Sequence, residues 1–441
     1  MALIASAAIT TLSASTIHAS GFDVFGIHPI GIAEVSSRVA GSDDGSASFY
    51  NPGGLSLGNG NQFELSLGGL VSQLEVQGSR SGIDDPLGGT VTAAVTVPFE
   101  GPLENRIRVG VAMHSMTNGM LHLKGRVRSN PSFPYYDNRT QRVVIIPALS
   151  VRVSDRVGIG AGVNTLAGVQ GAIDVREGQS QTMESRIVQE AGTLARVVAG
   201  VRVDLSDNVR IGAVYRQSFG MPLTITTVAD IAGVPLTVDV SKAGALFDPA
   251  TLAAGIRFGS AKGASVELDV AYHRWSEWEG PVFGMDTTAS ALSLATKPSE
   301  PVFRDTVSVR MGGGWIALEK PAWAITAHLG AGYETSMVDR AVQQGEMNLV
   351  DGAKAILGAG LGLRLPRLIG DGVRVSLGMQ AHHVGGFGQE KIACASVPCP
   401  DGTVAGPETT DPSLGITNPG YPRLSGGGMV FIGALGVGVD L

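Results

Sequence analysis

The sequence predicts an all-β fold: a transmembrane antiparallel β-barrel of about fourteen strands. Three observations lead there. Glycine supplies 62 of 441 residues, about twice the ~7% of ordinary proteins, while charged residues make up only 16% against ~25% in a soluble domain. No internal stretch is apolar over the ~20 residues a spanning helix needs, whereas barrel strands alternate and never accumulate such a run. Finally, the links between strands alternate in length down the chain.

From Phe63 onward the sequence alternates with a period of two. Val266, Leu268, Val270 and Tyr272 point one way, and Ser265, Glu267, Asp269 and His273 the other. Val307, Val309 and Met311 alternate with Ser308, Arg310 and Gly312; Val373, Val375, Leu377 and Met379 alternate with Arg374, Ser376, Gly378 and Gln380. A soluble sandwich would bury the apolar face, and a barrel would turn it toward lipid. Alternation alone does not separate the two, but the links do. Short ones fall at Ser154-Asp155-Arg156, Ser206-Asp207-Asn208 and Lys262-Gly263. Longer ones lie at about 77–90, 120–141, 177–191, 229–250, 280–304, 338–352 and 388–425. Short periplasmic turns and long external loops are the habit of outer-membrane barrels, which carry an even number of strands.

Two strands, 157–163 and 357–363, place glycine at every second position, and a third, 433–439, carries glycine at 433, 436 and 438. Glycine weakens a strand unless something approaches closely or the strand bends. A plug or ligand against the inner wall, or simple curvature, would each account for it. Trp315 and Trp323 flank one short turn with outward parity and Trp278 sits near the opposite end of its strand, as two interfacial girdles would require.

The formal net charge is −7 with no basic cluster, which excludes a nucleic-acid partner. The only cysteines, Cys394 and Cys399, suit either a disulfide-closed loop in an oxidising compartment or two free thiols. No further ligands stand near them, so no metal site is expected. Residues 1–19 resemble an export signal, with an apolar patch at Leu3–Ile9 and Ile17-His18-Ala19 before the cut; a Ser/Thr-rich tail is the other reading. Residues 20–60 lack strand periodicity and read as turns with a short helix at Ile32–Val39. Residues 61–441 form the barrel.

An enzyme is not expected. Gly54-Leu55-Ser56-Leu57-Gly58 matches the Gly-x-Ser-x-Gly pattern, yet it follows a Pro-Gly turn rather than ending a buried strand before a helix. His382 and His383 are neighbours on a strand and face opposite ways, so they cannot chelate one metal. No catalytic residue and no cofactor is assigned.

Within 20–60, Gly21-Phe22 leads through spaced glycines to Asp43-Asp44 and then Ser46-Ala47-Ser48-Phe49-Tyr50-Asn51-Pro52-Gly53-Gly54. This resembles the N-terminal hatch of the FadL long-chain fatty-acid and hydrocarbon transporters, with Gly53 where alanine is usual. Tyr272-His273-Arg274-Trp275-Ser276, Phe303-Arg304-Asp305-Thr306 through Gly312, and Gly330-Ala331-Gly332-Tyr333-Glu334 resemble the family's central strands. The resemblance implies a monomeric barrel in the outer-membrane lipid, plugged by its N-terminal hatch. It implies passive uptake of long-chain fatty acids or other hydrophobic small molecules through external loops, a lumenal pocket and a sideways exit. Asp43, Asp44, Phe49, Tyr50, Asn51, Pro52 and Gly53 are then hatch or gating residues. Arg210, Arg216, Arg310 and Arg374 have inward parity and would meet a substrate carboxylate or anchor the plug. An alternative is a barrel with an adhesive or envelope-structural role, worked by the 388–425 loop.

Overall fold

The computed structural model describes residues 22–81, 87–116, 132–137, 143–177, 183–231, 234–259, 263–278, 280, 283–287, 303–338, 349–366, 368–390 and 423–441. Among them, fourteen strands pair antiparallel into a closed ring. In chain order they are β1 (Gln62–Val76), β2 (Leu87–Thr96), β3 (Ile107–Met116), β4 (Val144–Ser154), β5 (Val157–Glu177), β6 (Met183–Ser206), β7 (Val209–Arg216), β8 (Ala250–Gly259), β9 (Ser265–Arg274), β10 (Thr306–Lys320), β11 (Trp323–Glu334), β12 (Lys354–Leu365), β13 (Gly372–Glu390) and β14 (Arg423–Asp440). Each pairs with its neighbours in sequence. The first strand then meets the last, from Gln62 opposite Asp440 to Val76 opposite Gly426.

Turns at one end of the ring are short, two residues at 155–156, 207–208 and 321–322, and links at the other end are longer, as the sequence predicted. Two links differ from expectation. The stretch 177–191 is mostly strand, because β5 and β6 run for 21 and 24 residues and extend past the ring. The link before β8 contains a hairpin, Phe219–Ile231 with Val234–Asp248, whose first strand lies parallel to β5 at 171–175. These extra strands pair onto β5 beyond the ring and do not interrupt it.

Side-chain polarity excludes the sandwich. Leu357 is 67% exposed while Glu267 is fully buried. Exposed outward positions are largely apolar, including Leu67, Leu149, Val270, Met311, Leu361 and Leu435, while the buried inward ones include many polar groups, among them Thr92, Arg108, Arg202, Ser308 and His382. A soluble protein cannot stand this inversion, whereas a wall immersed in lipid requires it. Trp315 is exposed on this outer face, but Trp278 is buried, stacked between Phe247 and Phe303. It belongs to an aromatic cluster of the external links, not to an interfacial girdle.

Residues 24–58 are almost wholly buried within a segment that begins at Phe22. It contains the helical turns Phe22–Phe25, Pro29–Ala33 and Ala47–Tyr50 and a 3-10 helix at Pro52–Leu57. The expected helix at Ile32–Val39 lies earlier. His28 caps its start, accepting from the Gly31 N–H at 3.0 Å. The helix cannot continue because Val35 and Ser36 adopt left-handed φ angles of 56° and 60°, a strained choice for a β-branched residue. That bend presses Val35 against Gly330 and Gly332 of β11.

The same close approach accounts for several of the alternating glycines, Gly158, Gly160, Gly358, Gly360 and Gly436. A Cβ on Gly160 would strike the backbone of Pro52, one on Gly358 the Ala33 carbonyl, and one on Gly378 the Pro29 backbone. Gly110, Gly200, Gly212 and Gly312 face the segment in the same way. The wall is bare there so that another backbone can lie on it. Gly378→Val is therefore expected to destabilise the barrel by about 1–3 kcal/mol, the usual range for overpacking. Gly263→Ala, where an added Cβ meets only open space, should change nothing. The temperature at which each purified variant loses its compact, detergent-resistant electrophoretic form measures the difference.

Candidate functional site

The irregular backbone of the segment exposes donors and acceptors that no helix or sheet satisfies, and burial makes each costly to leave unpaired. Inward side chains of the wall meet them. The N–H of Val39 donates to Asp269 at 3.1 Å, and those of Ala40 and Gly41 to Glu267 at 2.6 and 3.2 Å. Asp269 and Glu267 sit two apart on β9, so both face inward. On β3, Arg108 donates to the carbonyls of Leu55 (2.8 Å) and Gly60 (2.6 Å). On β7, Arg216 donates to the carbonyls of Phe49 and Tyr50, its guanidinium 5.2 Å from the Phe49 ring centre.

Asn51 and Pro52 are the centre of this seating. Asn51 is extended, and its side-chain oxygen accepts from the Gly53 N–H at 3.0 Å, capping the 3-10 helix that Pro52 begins. Its amide donates to the Val39 carbonyl at 2.7 Å and to the Val201 carbonyl of β6 at 3.0 Å. One side chain thus ties two parts of the segment to the wall. Gly53 is the departure from the family pattern, and here a Cβ would lie 2.7 Å from the Val201 Cα. The contact leaves no room for alanine without a shift.

Charges are arranged in closed sets. Asp43 pairs with Arg202 at 3.6 Å and with Arg210 at 3.5 Å. Asp44 accepts from Arg38 at 3.4 Å, and Arg38 also holds Glu34 at 2.9 Å. Glu34 in turn meets His328 of β11 at 2.9 Å. Arg310 pairs with Glu334 at 3.2 Å, and Arg374 with Asp440 at 3.1 Å. Of the four arginines singled out by parity, Arg210 meets the segment through Asp43 and Arg216 through backbone carbonyls. Arg310 and Arg374 pair within the wall. Arg38, Glu34 and His328 were not anticipated, nor were Arg108 and Arg202. Inward parity on β3 and β6 was the available signal for the last two.

Burial would raise the Glu34 carboxyl, but Arg38 and the bond to His328 outweigh it and bring it down to about 2. Asp44 is likewise held well below the carboxylate range: Arg38, His28 and the Ser46 hydroxyl overcome its burial. Burial, reinforced by Arg38, lowers His28 to about 4, so it is neutral at pH 7.

Two cavities lie against the segment. The upper one, about 120 Å³, has Val24, Val39 and Phe49 on one side and Val144, Ile146 and Asn164 of β4 and β5 on another, with Arg216, Asp269, His273 and Arg310 contributing polar groups. The lower one, about 230 Å³, is lined by His28, Arg38, Asp44, Glu64, His328 and Arg374, among others. The upper cavity touches an irregular seam. The β4–β5 ladder breaks at Ile146 and Pro147, opposite Val163 and Asn164, because proline has no N–H to donate. Above, the helical turn Pro134–Asp137 is fastened by Tyr135 to Glu334 (3.0 Å) and by Tyr136 to His382 (3.1 Å).

Ser56 of the Gly-x-Ser-x-Gly stretch is buried in the 3-10 helix and bonded to Ser150 at 2.9 Å, not raised on a strand-to-helix elbow. Residues 1–19, Cys394 and Cys399 lie outside the described residues.

A closed fourteen-strand wall, apolar without and charged within, defines an outer-membrane β-barrel, here with its own N-terminal segment packed inside. Solved structures of FadL type share this fold. A FadL homologue from Pseudomonas aeruginosa matches with a TM-score of 0.60 at 14% identity, over 94% of this chain and 98% of its own. The P. putida toluene transporter TodX matches at 0.53 and 13%, over 95% and 99%, and the CymD monoaromatic hydrocarbon channel at 0.53 and 12%, over 95% and 98%. No protein-family model and no curated protein matches the chain. At this identity the likeness is one of fold.

Two outcomes follow for the segment. Asn51→Ala removes three hydrogen bonds and leaves buried carbonyls unpaired, a loss of about 1–3 kcal/mol for each such group; cleavage within 22–58 by added protease should accelerate. Acid should do the same in two stages. Between the ordinary histidine value of 6.5 and about 4, the unfolded segment takes a proton that buried His28 refuses, so stability falls with pH. The contributions of Glu34 and Asp44, complete above 4.5, then disappear as pH falls toward 2. His28→Asn keeps a capping group and should abolish the first stage alone in a protease-accessibility titration.

Proposed function

We propose that the protein carries hydrophobic molecules passively across the outer membrane, through the upper cavity and out sideways. The segment 20–60 acts as the hatch, and no cofactor or covalent step takes part. The observation that carries this reading is the broken β4–β5 seam: the upper cavity lies against it, with Val144 and Ile146 of the seam among its lining residues. A hydrocarbon gains about 0.8 kcal/mol for each methylene taken out of water. Passage through the seam into lipid would keep that gain.

Both ends of the substrate range have support. Arg216 and Arg310 reach the upper cavity, where a fatty-acid carboxylate could form a charge-assisted pair. The structural neighbours named for toluene and monoaromatic hydrocarbons favour small uncharged rings. An engineered apolar cavity of roughly 150 Å³ holds benzene, so the space as it stands suits a ring or part of a chain.

Uptake of labelled oleate and of toluene, by cells lacking their own transporter, tests the proposal. Uptake should rise with the amount of protein in the outer membrane and lose its selectivity when residues 20–60 are deleted. Failure of both compounds to enter through a correctly inserted barrel would reject it. Pro147→Val restores a ladder donor at the seam and should slow uptake several-fold; unchanged uptake would move the exit elsewhere.

A further inference from the structure

One side chain touches the linings of both cavities. Tyr50 lines the upper cavity, and its ring centre is 5.8 Å from that of His28 and 5.9 Å from the Arg38 guanidinium carbon. Both of those residues line the lower cavity. We infer that the Tyr50 ring is the partition between them, the group that keeps this barrel closed to ions and small polar solutes.

Its surroundings are built to hold a ring in that place. Tyr50 is 2% exposed. Its hydroxyl accepts from the Ile27 N–H at 3.2 Å. Phe49 braces it edge-on, with ring centres 5.0 Å apart at 88°. Gly26 and Gly31 make the space: a Cβ on Gly26 would lie 2.7 Å from the Tyr50 oxygen, and one on Gly31 would overlap it. Gly26 also has a φ of +114°, which L-residues avoid. Arg38 cannot swing aside to open a second way, because Glu34 and Asp44 hold both ends of its guanidinium. A ring has few rotamers to lose and offers a broad impermeable face; a flexible chain of the same volume would leave gaps. Removing the ring would thin the wall between a space of about 120 Å³ and one of about 230 Å³ to His28 and Arg38.

The inference holds whether or not hydrophobic molecules use the upper cavity, since its test involves none. Purified full-length protein is inserted into planar bilayers in potassium chloride and ion current recorded. The unaltered protein and Tyr50→Phe, which keeps the ring, should give no stepwise conductance. Tyr50→Ala should give discrete steps, and Tyr50→Leu smaller ones. Gly31→Ala should also conduct, because the new methyl displaces the ring without removing it; this variant carries the test if Tyr50→Ala does not insert. An inserted Tyr50→Ala barrel as closed as the unaltered one would overturn the inference. So would a Tyr50→Phe barrel that leaks as much as Tyr50→Ala, since the hydroxyl's bond to Ile27 would then be the closing element.

Discussion

The structure depends on satisfying an irregular backbone inside a closed wall. A ring of fourteen strands is too wide for its own side chains to fill, so the chain folds part of itself inside. That part cannot be helix or sheet throughout, because it must follow a curved interior. Its spare N–H and C=O groups need partners in a space where water is scarce. Glu267, Asp269, Arg108, Arg216 and Asn51 supply them. Charge is present in the interior chiefly for this reason. A buried ion pair adds little by itself, but a charged group bonded to backbone satisfies two demands at once.

The interior also shows how sequence far apart in the chain is mutually constrained. Glycines on seven or more wall strands are needed only because the segment lies against them, and the segment bends at Val35 only because Gly330 and Gly332 leave space. Neither half has a local reason for its composition. The wall would be stiffer with larger residues, and the segment would be less strained with glycine at 35. Each feature costs something alone and is repaid by the contact they make together.

The barrel was legible because its evidence is local. Period-two alternation and link length survive in a single sequence, and the strand number and direction followed from them. Alternation did not tell inside from outside; link length pointed to the barrel, and exposure of Leu357 beside burial of Glu267 established it. The hatch-region residues around Asn51 were visible as a turn, since Asn-Pro carries its own conformational signature. Their long-range partners were not, because Val201 lies 150 residues away. Trp278 was misjudged for the same reason: parity places a tryptophan at a strand end, but stacking on Phe247 and Phe303 is decided by links that carry no period. Arg38 and Glu34 escaped notice because, outside a strand, no parity marks a residue as buried.

The meeting of β1 with β14 decides when the wall is complete. The ring cannot shut until the last eighteen residues of the barrel are in place, and Asn61 exchanges backbone bonds with Leu441 at that junction. Once the ring shuts, no lateral way into the lumen remains, and the segment before Asn61 can be reached or released only through the ends of the cylinder. Its bonds to Glu267, Asp269 and Arg108 then work inside a fixed hoop, whose seam is the pairing of the first strand with the last.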